Sequence, residues 1–183
     1  MPLKKIVVIG PESTGKSTLC EQLAEHYQTD WVREYAREYL LQHGADYTFD
    51  DLLTIAKGQL TLEDNAVEKF TTNNLALTTY NLPLFIDTDM YVIKVWSEFV
   101  FEKCHNFILN QIVAREYDLY LFCNVDLPWV KDELREYPDL VSREKLYNIY
   151  KDALINQNTP WIDISGNGDE RFEKAVRAVD YIL

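Results

Sequence analysis

The stretch "KKIVVIGPESTGKSTL", residues 4–19, decides the fold. Its four consecutive aliphatic residues, 6–9, are typical of a strand that is buried on both faces of a parallel sheet. Gly10, Gly15, Lys16 and Ser17 then follow in the order G-x-x-x-x-G-K-[ST], which is the Walker A pattern of a phosphate-binding loop, or P-loop. Apolar residues recur at helical spacing after the loop. The stretch therefore predicts a strand, a phosphate-binding loop and a helix, in that order.

The residue types of the loop suit a polyphosphate. A loop with few Cβ atoms lets successive backbone N–H groups point inward at phosphate oxygens, and the helix that follows adds the positive end of its dipole. Lys16 is expected to reach the β- and γ-phosphates of ATP, and the Ser17 hydroxyl is expected to bind Mg²⁺. We therefore expect ATP and Mg²⁺ as cofactors. The residues expected to bind the nucleotide are Gly10, Glu12, Ser13, Thr14, Gly15, Lys16, Ser17 and Thr18.

Composition limits the class of protein. The 183 residues suit one domain, 1–183, and the net charge of −12 argues against a polynucleotide partner, whose phosphates require a basic face. The three cysteines are widely spaced and form no CxxC pair, so they are expected to be reduced thiols. No apolar run is long enough to span a bilayer, and no signal peptide is recognisable. We expect a cytoplasmic protein with a small-molecule substrate and no membrane partner.

Strand and helix patterns alternate along the rest of the chain. Further strands are predicted at 31–32 and within the segments 82–87, 117–125 and 160–165, with helices between them. This alternation predicts an α/β fold with a doubly wound parallel sheet of about five strands and ligands at their carboxyl ends. Two helices on either side of Pro138 are also predicted, so residues 127–143 are expected to form a helical lid.

Two carboxylates follow the apolar strand "LPLFI". Asp87 lies where P-loop proteins have a metal-binding acid, so we expect it to be catalytic and to contact Mg²⁺. Asp89 is expected, with Asp87, to contact the substrate. The alternative is that these acids only cap the helix that follows.

Two further charged residues are candidates for catalysis. Glu34 follows the second strand and is expected to face the acceptor, although it could instead belong to ion pairs along an exposed helix. Arg135 is expected to reach the transferring phosphoryl group when the lid closes. The alternative for Arg135 is a solvated charged surface.

Several stretches resemble the ribosylnicotinamide kinase domain of NadR-type NAD-biosynthesis proteins, and they occur in the family's order across nearly the whole chain. They are "GPESTGKSTL", "REYAREYL", "GQLTLEDNAV", "FIDTD", "YDLYLFCNVDLPWVKDELRE" and "PWIDISG". The resemblance implies a P-loop kinase that phosphorylates the 5′-hydroxyl of nicotinamide riboside with ATP, which gives nicotinamide mononucleotide.

The family's "WEYGRE" maps onto residues 33–38, which implies that Glu34 and Tyr35 bind the substrate. Arg33 stands where the family has a tryptophan suited to stacking on the nicotinamide ring. Either another aromatic residue, with Trp31 and Tyr35 as first candidates, performs this role, or the acceptor differs. A pyridinium cation suits carboxylates and aromatic faces.

Other functions remain open from the sequence. A nucleoside or nucleoside-monophosphate kinase of different specificity would use the same loop, acids and lid. An ATP-binding regulatory module would bind nucleotide without turning over an acceptor. The N-K-x-D motif of a GTPase and the H-x-G-H-type motif of an adenylyltransferase are both missing from the sequence.

Overall fold

The computed structural model describes residues 3–73 and 82–183. In this part of the chain five parallel strands form one sheet in the order β2-β3-β1-β4-β5. The strands are β1 Lys4–Ile9, β2 Trp31–Val32, β3 Pro83–Asp87, β4 Leu119–Cys123 and β5 Trp161–Ile164. The helices are α1 Lys16–His26, α2 Tyr35–His43, α3 Phe49–Asn73, α4 Met90–Phe101, α5 Asn106–Ala114, α6 Leu140–Ile155 and α7 Gly168–Asp180.

The sheet is covered by helices on both faces, as predicted. Strand residues Ile6 and Val8 pack with α1 and α7 on one face, and Val7 and Ile9 pack with α4 and α6 on the other. Strands that are buried on both faces need apolar residues at every position, which explains the unbroken aliphatic run of β1. The strand order reverses direction around β1, so the carboxyl ends of β1 and β3 open a crevice for a ligand.

Local signals in the sequence set the bounds of two helices. Gly44, with φ of +93°, ends α2 and donates its N–H to the carbonyl of Leu40. Thr48 and Asp51 form a capping box at the start of α3, because the Asp51 carboxylate accepts both the N–H and the hydroxyl of Thr48 at 2.7 Å. Throughout the described ranges, each helix is too short or too polar to cross a lipid bilayer.

The prediction of a helical lid is wrong for most of its length. Residues 127–139, called the lid segment below, have an irregular backbone with a turn at 133–134, and α6 begins only at Leu140 after the N-cap Asp139. Pro138 disfavours helical geometry at the residue before it. Several backbone N–H groups of the segment also donate to side chains of the phosphate loop, so they are unavailable for helical hydrogen bonds.

Candidate active site

The loop between β1 and α1 has a backbone that requires glycine. A Cβ atom on Gly10, which has φ of +144°, would lie 2.7 Å from the carbonyl oxygen of Cys123 at the end of β4. Gly15 has φ of +78° and is the N-cap of α1, and no side chain caps this helix end. The first-turn N–H groups of α1 therefore remain available to an anion.

Side chains of the loop fold back over it. The Lys16 ammonium group donates to the carbonyl of Pro11 at 3.0 Å, and the hydroxyl of the buried Thr14 donates to the same carbonyl at 2.8 Å. Lys16 also lines the cavity described below. The loop thus presents one positive charge at the place where the sequence predicts the phosphates.

Ser17 and Asp87 are in direct contact. The Ser17 hydroxyl donates to Asp87 Oδ2 at 2.5 Å, while Asp87 Oδ1 is buried and, among the residues that the structure describes, has no hydrogen-bond partner. Burial, followed by the nearby Glu34 carboxylate, raises the pKa of Asp87 to about 6, and Lys16 and the Ser17 hydrogen bond oppose this rise. A hydroxyl, a carboxylate and a free buried carboxylate oxygen are the hard oxygen ligands that Mg²⁺ prefers, so these residues fit that ion.

Asp89 has a different environment from Asp87. Its carboxylate caps α4 by accepting the N–H groups of Tyr91 and Val92 at 3.0 and 3.3 Å, and it also accepts the hydroxyl of Tyr120 at 2.9 Å. Burial raises its pKa to about 7. Neither Asp87 nor Asp89 is among the residues that line the cavity described below, but Asp87 contacts the lining residue Ser17. The hydrogen bonds of Asp89 instead support the capping interpretation, and its expected contact with substrate gains no support from this geometry.

A cavity of about 440 Å³ lies at the carboxyl ends of the strands. The phosphate loop forms one side, and residues 132–137 of the lid segment form another. Helix α4 contributes Val92, Trp96 and Phe99, which lie three and four positions apart and so share one face of the helix. The cavity is therefore bordered by the phosphate-binding loop and by aromatic side chains of α4.

Glu34 lines this cavity and is positioned by a residue that the sequence analysis missed. It is the N-cap of α2, yet its carboxylate makes no capping hydrogen bond. The buried Gln59 holds the turn on both sides of Glu34, accepting the N–H of Tyr35 at 2.7 Å and donating to the carbonyl of Arg33 at 3.2 Å. Gln59 lies within the apolar stripe of α3, and a polar residue at such a position is the sequence signal that could have identified it.

The two aromatic residues expected at the acceptor ring lie outside the cavity lining. The Tyr35 ring packs against Gly58, where a Cβ atom would lie only 2.1 Å from it, and Trp31 lies beneath the Arg33 guanidinium at 5.4 Å. The aromatic residues that do line the cavity are Tyr47, Trp96, Phe99, Tyr137 and Tyr150. Tyr35 therefore has a packing role in this structure.

The lid segment is hydrogen-bonded to the phosphate loop. The Glu12 carboxylate accepts the backbone N–H groups of Glu136 and Tyr137 at 3.0 and 2.6 Å, and the Ser13 hydroxyl accepts that of Val130 at 2.9 Å. These bonds give the Glu12 and Ser13 side chains a role in holding the lid segment.

The lid segment is also held by α2 and by a hydrogen bond within the segment itself. Arg37 of α2 makes a two-pronged ion pair with Asp132, with N–O distances of 3.0 and 3.2 Å. Arg135 lines the cavity, and its guanidinium donates to the carbonyl of Val130 at 2.6 Å. The structure therefore brings Lys16, Glu34 and Arg135 to one cavity.

Two buried arginines, which the sequence analysis did not assign to the site, support the phosphate loop from behind. Arg171 of α7 donates to the carbonyls of Thr14, Asn124 and Gly166 at 2.8–2.9 Å and pairs with Asp126. Arg171 lies four and eight positions before the buried Ala175 and Val179 and so belongs to the apolar stripe of α7. A charged residue in such a stripe is the sequence signal that could have predicted its buried role.

Arg143 of α6 makes the second contact of this kind. Its guanidinium donates to the carbonyls of Leu127 and Ser13 at 3.1 and 3.4 Å, and burial lowers its pKa. The two arginines thus bind loop carbonyls, which leaves the loop N–H groups oriented toward the cavity.

The parallel sheet, the loop between β1 and α1 and the acid at the end of β3 define the class: the chain has the P-loop kinase fold. More narrowly, a family model described as an AAA domain (AAA_28) matches residues 5–171, and the chain belongs to this family.

Curated relatives include the trifunctional NAD biosynthesis/regulator protein NadR of Escherichia coli K12. This protein is 29% identical over 182 residues, which are 97% of the chain and 42% of the relative. NadR of Salmonella typhimurium LT2 is 29% identical over 186 residues, which are 99% of the chain and 43% of the relative. The chain therefore spans less than half the length of these relatives. The resemblance to NadR-type proteins is confirmed.

Solved structures show the same fold. NadR in complex with NR matches with a TM-score of 0.80 and 24% identity, covering 98% of the chain and 49% of NadR. NadR in complex with NAD and AMP-PNP matches with a TM-score of 0.71 and 22% identity over the same shares. Thymidylate kinase from Ehrlichia chaffeensis matches with a TM-score of 0.64 and 16% identity, covering 98% of the chain and all of that protein.

Proposed function

We propose that this protein transfers the γ-phosphoryl group of ATP to the 5′-hydroxyl of nicotinamide riboside, which gives nicotinamide mononucleotide. The observation that carries the proposal is that one cavity is lined by the phosphate-binding loop, by several carboxylates and by aromatic side chains. The likeness to NadR, one structure of which is in complex with NR, supports the same acceptor.

The nucleotide half of the reaction uses the phosphate loop. The loop N–H groups and Lys16 would hold the triphosphate and stabilise the charge that develops on the transferring group. Ser17 and Asp87 would hold Mg²⁺, which supplies further charge neutralisation on the phosphates when it is bound. Arg135 would bring a second positive charge to the same group.

The acceptor half uses the carboxylate of Glu34. The Asp87 oxygen nearest the loop is bonded to Ser17, whereas Glu34 lines the cavity and makes no capping hydrogen bond. Glu34 would therefore orient the 5′-hydroxyl and accept its proton as the new P–O bond forms. Phosphoryl transfer needs positioning and charge stabilisation more than a strong base, so one such carboxylate suffices.

The charge of the cavity lining suits a cationic acceptor. Five acidic and three basic residues line it: Glu12, Glu34, Asp132, Glu133 and Glu136 against Lys16, Arg37 and Arg135. Arg37 is paired with Asp132, and the remaining two basic residues are the ones assigned to the phosphates. The remaining carboxylates of the lining therefore give the cavity a net negative charge, which attracts a pyridinium ring.

An ADP-release assay with and without nicotinamide riboside tests the proposal. We expect riboside-dependent ADP release from the wild type and its loss in Lys16→Ala. ATP binding without acceptor-dependent ADP release would instead favour a regulatory module. Release that depends on another nucleoside would favour a kinase of that specificity, which the fold match to thymidylate kinase keeps as the second candidate.

A further inference from the structure

We infer that Tyr47, Trp96 and Glu136 form the surface that recognises the acceptor's ring. In this inference the cationic ring packs against the Tyr47–Trp96 wall, and the lid carboxylate of Glu136 faces its charge. The inference rests on the proposed function and assigns the ring-binding role to residues other than the sequence candidates Trp31 and Tyr35.

The three side chains form one hydrogen-bonded chain. Trp96 Nε1 donates to the Tyr47 hydroxyl at 2.8 Å, and that hydroxyl donates to the Glu136 carboxylate at 2.9 and 3.1 Å. The two rings meet edge to face, with centroids 4.7 Å apart and planes at 67°. Each polar atom of the wall is thus satisfied within it, so the ring orientations are fixed before any ligand contacts them.

The wall lies where an acceptor ring must lie. Trp96 is six residues, or about 9 Å, along α4 from its first residue Met90. Glu34 and the phosphate loop line the same cavity nearer the strand ends. A nucleoside whose 5′-hydroxyl approaches Glu34 and the loop therefore directs its ring toward Tyr47 and Trp96.

Glu136 supplies a carboxylate that no cation of residues 3–73 and 82–183 neutralises. Within the described ranges it forms no ion pair, and Arg37, the other lid contact, is already paired with Asp132. Burial and the nearby Glu12 raise the pKa of Glu136, and the hydrogen bond from Tyr47 opposes this rise. The positive charge of a cationic ligand would stabilise the ionised carboxylate and so oppose both effects.

This placement also connects ring recognition to the lid. The backbone N–H of Glu136 donates to Glu12 in the phosphate loop, while its side chain accepts from the aromatic wall. A ring that occupies the wall would therefore strengthen the closed arrangement of the lid over the triphosphate. A cation over an aromatic face improves affinity by roughly 2- to 30-fold, depending on its desolvation.

The test measures kcat and KM for nicotinamide riboside and for its neutral reduced form. The variants are Trp96→Leu, Tyr47→Phe and Glu136→Gln, with Trp31→Leu as the matched control outside the cavity. We expect Trp96→Leu and Glu136→Gln each to raise KM for the cationic riboside by roughly 2- to 30-fold. The KM values for ATP and for the neutral riboside should change little, and the control should behave as the wild type does.

A binding measurement adds a readout that a structural role would not affect. A pyridinium ring in contact with an indole quenches its fluorescence, so titration with the riboside should quench the wild type and Trp31→Leu, and quench Trp96→Leu far less. If Trp96→Leu does not fold, Glu136→Gln and Tyr47→Phe carry the test, because both preserve the size of the side chain.

Equal effects on both ribosides, or no effect of any variant, would overturn the inference while leaving the proposed function intact. If the wild type neither binds nor phosphorylates nicotinamide riboside, the proposed function fails and the inference fails with it. The two failures are therefore distinguishable in one set of assays.

Discussion

The carboxylate of Glu12, a residue of the phosphate loop, accepts the backbone N–H of Tyr137 in the lid segment at 2.6 Å. A residue of the nucleotide site thus holds the lid without using any side chain of the lid. Because the neighbouring N–H of Glu136 binds the same carboxylate, the loop and the lid are expected to order together.

Glu12→Ala should therefore loosen the lid segment. Hydrogen bonds to a charged acceptor contribute about 1.5–3 kcal/mol each when sheltered and less when exposed. We expect amide hydrogen exchange at residues 130–137 to quicken by roughly tenfold, with a matching fall in kcat/KM for the acceptor. Glu12→Gln, which keeps an acceptor oxygen, should lie nearer the wild type. Unchanged exchange in Glu12→Ala would show that other contacts hold the lid.

Lys16→Ala should abolish turnover and leave the fold intact. Lys16 makes one hydrogen bond within the loop, to the carbonyl of Pro11, so little packing is lost. The loss of a charge positioned at the reacting group is expected to lower kcat by about 10²–10³-fold or more. Steady-state kinetics and a thermal melt check this, with Lys151→Ala, an exposed lysine, as the control. Near-normal turnover in a folded Lys16→Ala protein would contradict the phosphate-loop mechanism.

Substitution of Asp87 should affect the activity of the protein, whereas removal of the Asp89 cap should affect its stability. Asp87 contacts Ser17 at the cavity, so Asp87→Asn should weaken Mg²⁺-dependent turnover with little loss of stability. Asp89 caps α4 and binds Tyr120, so Asp89→Ala should lower the free energy of unfolding by about 1–2 kcal/mol, whereas Asp89→Asn keeps a capping oxygen and should stay stable and active. Metal titrations and denaturant unfolding of these variants distinguish the two residues. A stable, inactive Asp89→Asn protein would reverse the assignment.

Arg171→Gln should impair ATP binding more than acceptor binding. It removes the donor to the Thr14 carbonyl and leaves buried loop carbonyls unpaired, which costs about 1–3 kcal/mol per group. We expect a raised Kd for ATP and a lower melting temperature. Arg177→Gln, an exposed residue of the same helix, serves as the control. An unchanged Kd for ATP would show that the loop keeps its shape without this support.

Asp51 should give the protein a stability component that disappears in acid. Hydrogen bonds from Tyr39 and Thr48 lower the pKa of Asp51 from the ordinary 3.8 to about 2. The folded pKa is the lower one, so the stabilisation is complete above about pH 4 and is lost as the pH falls toward 2. The stability difference between the wild type and Asp51→Asn should shrink over that interval. A stability difference that does not change with pH would contradict this account of the Thr48–Asp51 capping box.

Much of the fold could be predicted from local patterns. The aliphatic run of β1, the glycines of the loop and the Thr48–Asp51 box each express a requirement of backbone geometry within a few residues. The lid segment could not be predicted this way, because its shape depends on hydrogen bonds to Glu12 and Ser13, more than 100 residues earlier in the chain.

For the candidate site too, only the residues set by local sequence patterns could be predicted. The proximity of Lys16, Ser17 and Asp87 follows from the spacing of the loop and from the end of a buried strand, and their roles in binding stay predictions. Trp96 and Tyr47 did not, because aromatic residues at helical spacing are more often part of a core, and only the tertiary structure shows which face of α4 borders a cavity. The same limit explains why Tyr35 was expected at the substrate and instead packs on Gly58.

The central claim is tested most directly by comparing kcat/KM for nicotinamide riboside, uridine and thymidine with ATP as donor. The account predicts that nicotinamide riboside is the preferred acceptor and that the product carries its new phosphate on the 5′-oxygen. A higher kcat/KM for uridine or thymidine would contradict the account and leave only a nucleoside kinase of different specificity.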